Sequence, residues 1–410
     1  MQLLLHRVDL RLKHTFTIAH DSRDVQPTLI VELRDGGYRG FGEATATRYY
    51  GITMEGMVAA LEALRSHIES YTITDPEAFW AAMRPHLANN PFALCALDQA
   101  AWDLWAKKQQ QPLYKLWNLD PANSRLTNYT IGLDTPERMV EKMQELPWPL
   151  YKIKLGRPET DLSVVWALRA HTDALFRVDA NCGWSVDDTL VKSRVLADLN
   201  VEFIEQPLPA GDWEGAKTVY EQTALPIIAD ESCIVEEDVA RCAGYFHGIN
   251  IKLTKCGGLT PARRMITQAR DLGLRVMVGC MTESSVGISA IDQLLPLLEY
   301  AELHGSLLIA NDPADIFTIK SRPGRSISHV GRDYLFFSGT AYLGLQQNPG
   351  FQQVLVESIG RYGTVFGSSR NGNLRIGVYE EAEAKLATWV GAESALTVSS
   401  GMMAGQLVVN

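Results

Sequence analysis

The strongest constraint on this chain is periodic. Eight short apolar or β-branched runs recur through its middle, separated by helix-length stretches: YTIGL, YKIKLG, LFRVDANCG, VEFIEQPL, PIIADES, GINIKLTKCGG, RVMVGCMTES and YAELHG. From the second run onward the polar end residues are Lys154, Asp179, Glu205, Asp230, Lys252, Cys280 and Glu302. Successive gaps are about 22–28 residues, the length of one strand-and-helix unit. Eight such units close into a parallel barrel, whose active site is built at the C-terminal ends of its strands. A single strand-end charge is simply solvated. Ionisable groups at six strand ends, lysines and carboxylates together, point to a site.

The flanks differ in texture. Residues 1–50 read as paired strands: an apolar run ends in the turn Arg34-Asp35-Gly36-Gly37, and a short strand follows from Tyr38 to Glu43. Residues 53–118 read as helices, above all PFALCALDQAAWDLWAKKQ. The fold class expected is α/β: a small α+β unit over 1–118, a (β/α) barrel over 119–320, a polar linker over 321–333 and a separate segment over 334–410. Net charge is −10, which argues against nucleic acid or an anionic membrane as partner. No apolar run approaches the ~20 residues of a membrane span. The N-terminus alternates apolar and polar residues like a strand, unlike the continuous apolar core of a signal peptide. The six cysteines are scattered, as reduced thiols in a cytoplasmic protein are. The expected partner is a small molecule, and a homo-oligomer is compatible with all of this.

Asp179, Glu205 and Asp230 fall on three consecutive expected strands. Three carboxylates converging in one barrel mouth repel unless a cation sits between them. Oxygen ligands without His or Cys suit Mg²⁺, with Mn²⁺ as the alternative. Lys152 and Lys154 are two apart on one strand and share a face. Lys252 lies four strands from Lys154 in a ring of eight, so a substrate on the metal has an amine on each side. Removing a proton α to a carboxylate builds charge that a divalent cation stabilises. A lysine acts as base only when neutral, which near pH 7–8 needs a pKa roughly two to three units below ~10.4. The neighbouring Lys152 charge and a cation both push that way. Two bases on opposite faces invert a stereocentre.

YKIKLG, VDANCGW, EFIEQP, IIADES and INIKLTKCGG resemble the muconate-lactonizing branch of the enolase superfamily, most closely its dipeptide epimerases. The resemblance covers about residues 1–320 and implies an N-terminal capping domain. It implies that Lys154 and Lys252 are the acid/base pair, that Asp179, Glu205 and Asp230 bind Mg²⁺, and that Lys152 assists beside the substrate carboxylate. Thr130 matches a substrate-contacting threonine, and Cys280, Met281 and Thr282 match the seventh-strand segment along the substrate. The eighth strand of those epimerases carries Asp-x-Asp for the dipeptide's ammonium. Here Glu302-Leu303-His304 stands there, with Glu302 keeping an acceptor and His304 departing from the pattern. The loop Ala19–Val25 is expected to close over the substrate. Alanyl-glutamate epimerases can place an arginine in it; Asp21 falls near that position here, and Arg23 is expected to replace it.

The segment after the linker, FFSGTAYLGLQQNPG through EEAEAKLATWVGAESALTVSSGMMAG, resembles the N-terminal part of pyridoxal-phosphate enzymes of the α-oxoamine synthase type. Ser400-Gly401-Met402 matches the start of their phosphate site. The Schiff-base lysine of that family would lie further downstream. The segment is therefore expected to be a truncated fragment of a PLP-transferase fold, without functional PLP, and poorly soluble or partly disordered. Two other readings use the same residues. One is a lyase or cycloisomerase such as o-succinylbenzoate synthase, which has no ammonium for Glu302. The other is an inactive metal-binding remnant, at odds with an intact set of lysines and carboxylates.

Overall fold

The computed structural model describes residues 1–18, 21–313, 326–329, 332–335, 348–362, 378–395 and 397. The chain divides into two compact units, Met1–Ile316 and Phe317–Asn410.

The first unit opens with an antiparallel sheet of β1 (Gln2–Ile18), β2 (Asp21–Asp35) and β3 (Tyr38–Thr45), in that order. Strand β2 pairs on both sides, which buries Leu29, Val31 and Leu33 completely. Four helices follow, Met54–Ala63, Arg65–Ser70, Pro76–Met83 and Pro91–Lys108. The third and fourth begin with proline just inside a polar cap. Asp75 accepts from Glu77 N, and Asn90 accepts from Ala93 N at 3.0 Å. Helix Pro91–Lys108 is apolar nearly all round because it is buried on more than one side. It lies almost in contact with the backbone of β3. A Cβ at Gly40 would stand 2.2 Å from Ala100 O, and one at Gly42 would stand 2.1 Å from Ala96 O.

The barrel follows, with β4 (Tyr129–Ile131), β5 (Leu150–Lys154), β6 (Leu175–Asp179), β7 (Val201–Glu205), β8 (Ile227–Ala229), β9 (Gly248–Lys252), β10 (Arg275–Gly279) and β11 (Tyr300–Glu302). Each strand pairs in parallel with the next, and Thr127 bridges to Ala301 to close the ring. This is the eight-stranded α/β barrel that the sequence periodicity implies. Alternate residues explain the two cores. Ile153, Val178, Ile204, Ile251 and Val278 face outward into the main apolar cluster with the surrounding helices. Phe203, Ile228, Met277 and Tyr300 pack together as a small inner cluster. Each lies two residues before a strand-end position, so the inner floor sits one layer below the polar mouth.

In the second unit, β12 (Ser326–His329) and β13 (Arg332–Leu335) form an antiparallel pair that overlaps the stretch expected as linker. Their backbone pairing gives this polar sequence a regular structure that its composition does not signal. Two helices, Pro349–Tyr362 and Val378–Val390, carry exposed apolar side chains, among them Phe351, Val354, Val356 and Trp389. Ser400-Gly401-Met402 lies outside the described residues. Among the described residues no helix is long and apolar enough to cross a membrane.

Candidate active site

Strand register gathers the expected residues. Lys154 pairs with Asp179 and Asp179 with Glu205, so these three form one row across β5, β6 and β7. Asp230 follows β8 directly. Lys252 and Glu302 flank Gly279 in a second row across β9, β10 and β11. Lys154 and Lys252 are therefore four strands apart in a closed ring of eight, with the three acidic strands between them.

The acidic triad is fully buried, and one carboxylate oxygen from each member lies within 4.8 Å of the others. Lysines neutralise it. Lys154 Nζ is 2.6 Å from Asp179 Oδ2, and Lys252 Nζ is 2.6 Å from Asp230 Oδ2. Burial alone would lower Lys252, but Asp230 holds it well above the ordinary lysine value. Burial would likewise raise Asp230, but Lys252 and Lys255 hold it well below the usual carboxylate range.

Lys152 is the deepest of the set, with no exposed side-chain surface. Its Nζ lies 2.8 Å from Glu205 Oε2, 2.9 Å from Glu302 Oε2 and 3.1 Å from Asp179 Oδ2. Burial opposes its charge, yet these carboxylates hold its pKa well above normal.

The triad fits a hard divalent cation. Burial, with Asp179 next in effect, pushes the Glu205 carboxyl up to about 8. Its Oε2 accepts no hydrogen bond, since Lys152 approaches it without hydrogen-bond geometry. A buried carboxylate oxygen that accepts no hydrogen bond, in a carboxyl that burial keeps from ionising, fits a cation ligand. Oxygen-only donors of this kind suit Mg²⁺.

The strand-eight end forms a second polar group. Thr130 Oγ1 donates to Glu302 Oε1 at 3.2 Å and lies 2.9 Å from His304 Nδ1, while Asn128 Nδ2 donates to Thr130 Oγ1 at 3.2 Å. Since the Thr130 proton goes to Glu302, the consistent tautomer has His304 Nδ1–H donating to Thr130 and Nε2 left as an acceptor. Burial pushes His304 down to about 4, against the pull of Glu302, so the ring is neutral near pH 7. Glu302 itself is held well below the usual carboxylate range; burial opposes this, and Lys152 together with His304, Lys154 and Lys252 outweighs it.

Other expected residues fall into different settings. Cys280 and Thr282 are buried after β10, and Met281 packs against the capping-domain core. Burial pushes the Cys280 thiol up, and its Sγ lies 3.9 Å from His304 Nδ1. Asp21 and Arg23 engage each other at 2.7 Å, and Arg23 also donates to Gln26 Oε1. From Asp21 onward the expected loop is strand, with Ile18, Thr17 and Phe16 paired to Asp21, Ser22 and Arg23. Arg23 thus has partners within its own hairpin, Asp21 and Gln26. Ala19 and His20 lie outside the described residues.

Three residues of the site escaped the sequence reading. Asn250 donates to Glu205 Oε1 at 2.9 Å. It stands two residues before Lys252, and the face-sharing rule applied to Lys152 and Lys154 also points to it. Lys255 Nζ donates to Asp230 Oδ1 and Asp230 O at 2.6 Å and to Cys233 O at 3.1 Å. It is the fourth lysine of the site and lies one turn after Lys252, beyond the strand, where no strand-end position points to it. Glu231 adjoins the triad; burial, with Asp230 next, pushes its carboxyl up to about 7.

Two family models match the chain: the mandelate racemase / muconate lactonizing enzyme N-terminal domain over residues 2–117, and an enolase C-terminal domain-like model over residues 136–317. An L-Ala-D/L-amino acid epimerase of Flavobacterium johnsoniae is 56% identical over 320 residues, covering 78% of this chain and 95% of that protein. A protein of the same name from Maribacter is 52% identical over 315 residues, covering 77% of this chain and 93% of its own. The crystal structure of an Enterococcus faecalis dipeptide epimerase, complexed with Mg and L-Leu-L-Tyr, is similar with a TM-score of 0.72 at 32% identity, covering 76% of this chain and 92% of that one. Through its first 317 residues the chain belongs to the mandelate racemase / muconate lactonizing enzyme family of the enolase superfamily.

Proposed function

We propose that this protein is a Mg²⁺-dependent dipeptide epimerase that inverts the α-carbon of the C-terminal residue, with residues 1–118 as cap and 119–320 as catalytic barrel. The observation that carries this is the placement of Lys154 and Lys252 on opposite sides of the ring, with the acidic triad on the three strands between them. Asp179, Glu205 and Asp230 would hold the cation, which supplies charge stabilisation to the substrate carboxylate as the α-proton leaves. Lys154 and Lys252 each pair with a triad carboxylate, Asp179 and Asp230, which places both amines beside the site that would hold the cation.

Lys154 and Lys252 then act as a pair. One, neutral, takes the α-proton from its face; the other, as ammonium, returns a proton to the opposite face, and the stereocentre inverts. Lys152 stays charged and holds Glu205 and Glu302 in place. At the other end of the substrate, Glu302 and the free Nε2 of His304 receive the dipeptide's ammonium, with Thr130 fixing both. A neutral histidine accepts where an imidazolium would repel, so His304 can do part of what a second carboxylate does in relatives. With Arg23 paired to Asp21, small or neutral C-terminal residues fit at least as well as glutamate.

The motif resemblance of residues 334–410 to part of a pyridoxal-phosphate enzyme, and a cytoplasmic setting for the whole chain, belong to the same proposal. The test is a dipeptide library in D₂O with Mg²⁺, read by mass spectrometry. Incorporation of one α-deuterium with appearance of the second epimer is expected for L-Ala-Xaa dipeptides. No incorporation across the library would sink the epimerase reading.

A further inference from the structure

Lys252 ends β9, and the chain behind it is held from outside the barrel. A short helical turn, Leu253–Cys256, is followed by Gly257 at φ 96° and Gly258 at φ 126°, and then by helix Leu259–Asp271. That helix has no side-chain cap of its own. The missing acceptor comes from the capping domain. Asp98, in helix Pro91–Lys108, accepts from Thr260 N at 2.9 Å and from Thr260 Oγ1 at 2.8 Å, and takes the Leu259 N–H as well.

Two tryptophans of the same domain complete the clasp. Trp80 Nε1 donates to Gly257 O, and Trp102 Nε1 donates to Thr260 Oγ1, both at 2.8 Å. Asp98 and Thr260 are each 1% exposed. The fit leaves no slack, since a Cβ at Gly258 would stand 2.3 Å from Asp98 Oδ2. The segment so pinned carries Lys252 and also Lys255, which holds Asp230.

The turn after Lys154 is held differently. Asp161 accepts from Gly156 N at 3.0 Å, Arg157 N at 3.1 Å and Trp184 Nε1 at 2.7 Å. Each lysine therefore has a buried aspartate and a tryptophan behind it. For Lys154 both belong to the barrel, whereas for Lys252 the aspartate belongs to the cap.

We propose that Asp98 is a positioning residue for Lys252: the capping domain supplies the helix cap that fixes one of the two proton-transfer groups, while the other is fixed by the barrel alone. This rests on the two-lysine reading above. Misplacing a reacting group by a fraction of an ångström costs rate without removing binding. Loosening Asp98 should therefore slow proton transfer on one face of the substrate only.

The test measures solvent-deuterium wash-in at the α-carbon, at saturating Mg²⁺, separately from each epimer of the best dipeptide in the library. Lys252→Ala first identifies the epimer whose proton faces Lys252. In Asp98→Asn, wash-in from that epimer should fall by about tenfold or more, and from the other by less than about twofold. Asp161→Asn should show the opposite bias. Trp80→Phe keeps an aromatic side chain and removes the bond to Gly257, so it should show the Asp98 bias more weakly even if Asp98→Asn folds poorly. Parallel loss from both epimers in Asp98→Asn and Trp80→Phe would mean a general structural role, and equal retention would mean none; either overturns the proposal. If Lys252→Ala shows no one-sided loss, the two-lysine reading fails, and the positioning role fails with it.

Discussion

At the scale of single residues, the site is a charge balance. Lys152, Lys154, Lys252 and Lys255 face Asp179, Glu205, Asp230, Glu231 and Glu302, so carboxylates outnumber amines by one. A divalent cation tips this to a small positive excess, which suits a substrate carboxylate. Lys255 is the least obvious member because it touches no expected substrate atom. It orients Asp230 through both a carboxylate oxygen and the backbone carbonyl. Lys255→Met removes that support while keeping the chain length. Its Mg²⁺ affinity, measured by calorimetric titration, should weaken by roughly 10–100-fold, the usual cost of losing a partner that orients a ligand. Unchanged affinity would mean that Lys252 alone orients Asp230. The lysines and the triad were legible because each ends a strand run. Asn250 was legible in principle by the period of two, whereas Lys255 was not, because it sits beyond the strand on a turn whose direction depends on Gly257 and Gly258.

At the scale of elements, the cap's three-stranded sheet holds a fully buried carboxylate, Glu32, on its central strand. Glu32 on β2 has no exposed side-chain surface and meets Arg34, Arg39 and His6. Burial pushes its carboxyl up, but hydrogen bonds from these three outweigh burial and hold it down, from an ordinary 4.5 to about 2. A carboxyl with a lowered folded-state pKa binds fewer protons folded than unfolded between those two values. Its contribution to stability is therefore complete above the ordinary value and is lost as pH falls toward the folded one. Glu32→Gln should be less stable than the parent in denaturant melts near ~pH 6, and the gap should close as pH drops below ~4. A gap that is constant with pH would mean the ion cluster contributes nothing specific. Helix and strand identities in the cap were readable from Asn90-Pro91, Asp75-Pro76 and the Gly36-Gly37 turn. The continuation of β2 back to Asp21 was not, because Asp21-Ser22-Arg23-Asp24 is polar throughout and shows no apolar alternation, although it pairs with Phe16, Thr17 and Ile18.

At the scale of the whole molecule, the eight-fold recurrence of strand and helix was the most legible feature, and the polar strand ends follow from it. Less legible was the dependence of the barrel on the cap. Asp98 and Trp102 read in sequence as parts of an apolar helix, and their hydrogen bonds to Thr260 join residues 162 and 158 positions apart. The strand pair Ser326–His329 and Arg332–Leu335, which overlaps the expected linker, was hidden for a related reason: strand pairing can order a polar segment that carries no apolar alternation. The central claim for the molecule is that two lysines work on opposite faces of one carbon. The most direct measurement is the isotope content of both epimers early in turnover of a single-epimer dipeptide in D₂O. The account predicts that the product epimer carries α-deuterium from the outset, because the proton taken by one lysine is not the one delivered by the other. A product that retains the substrate's own α-hydrogen would contradict it.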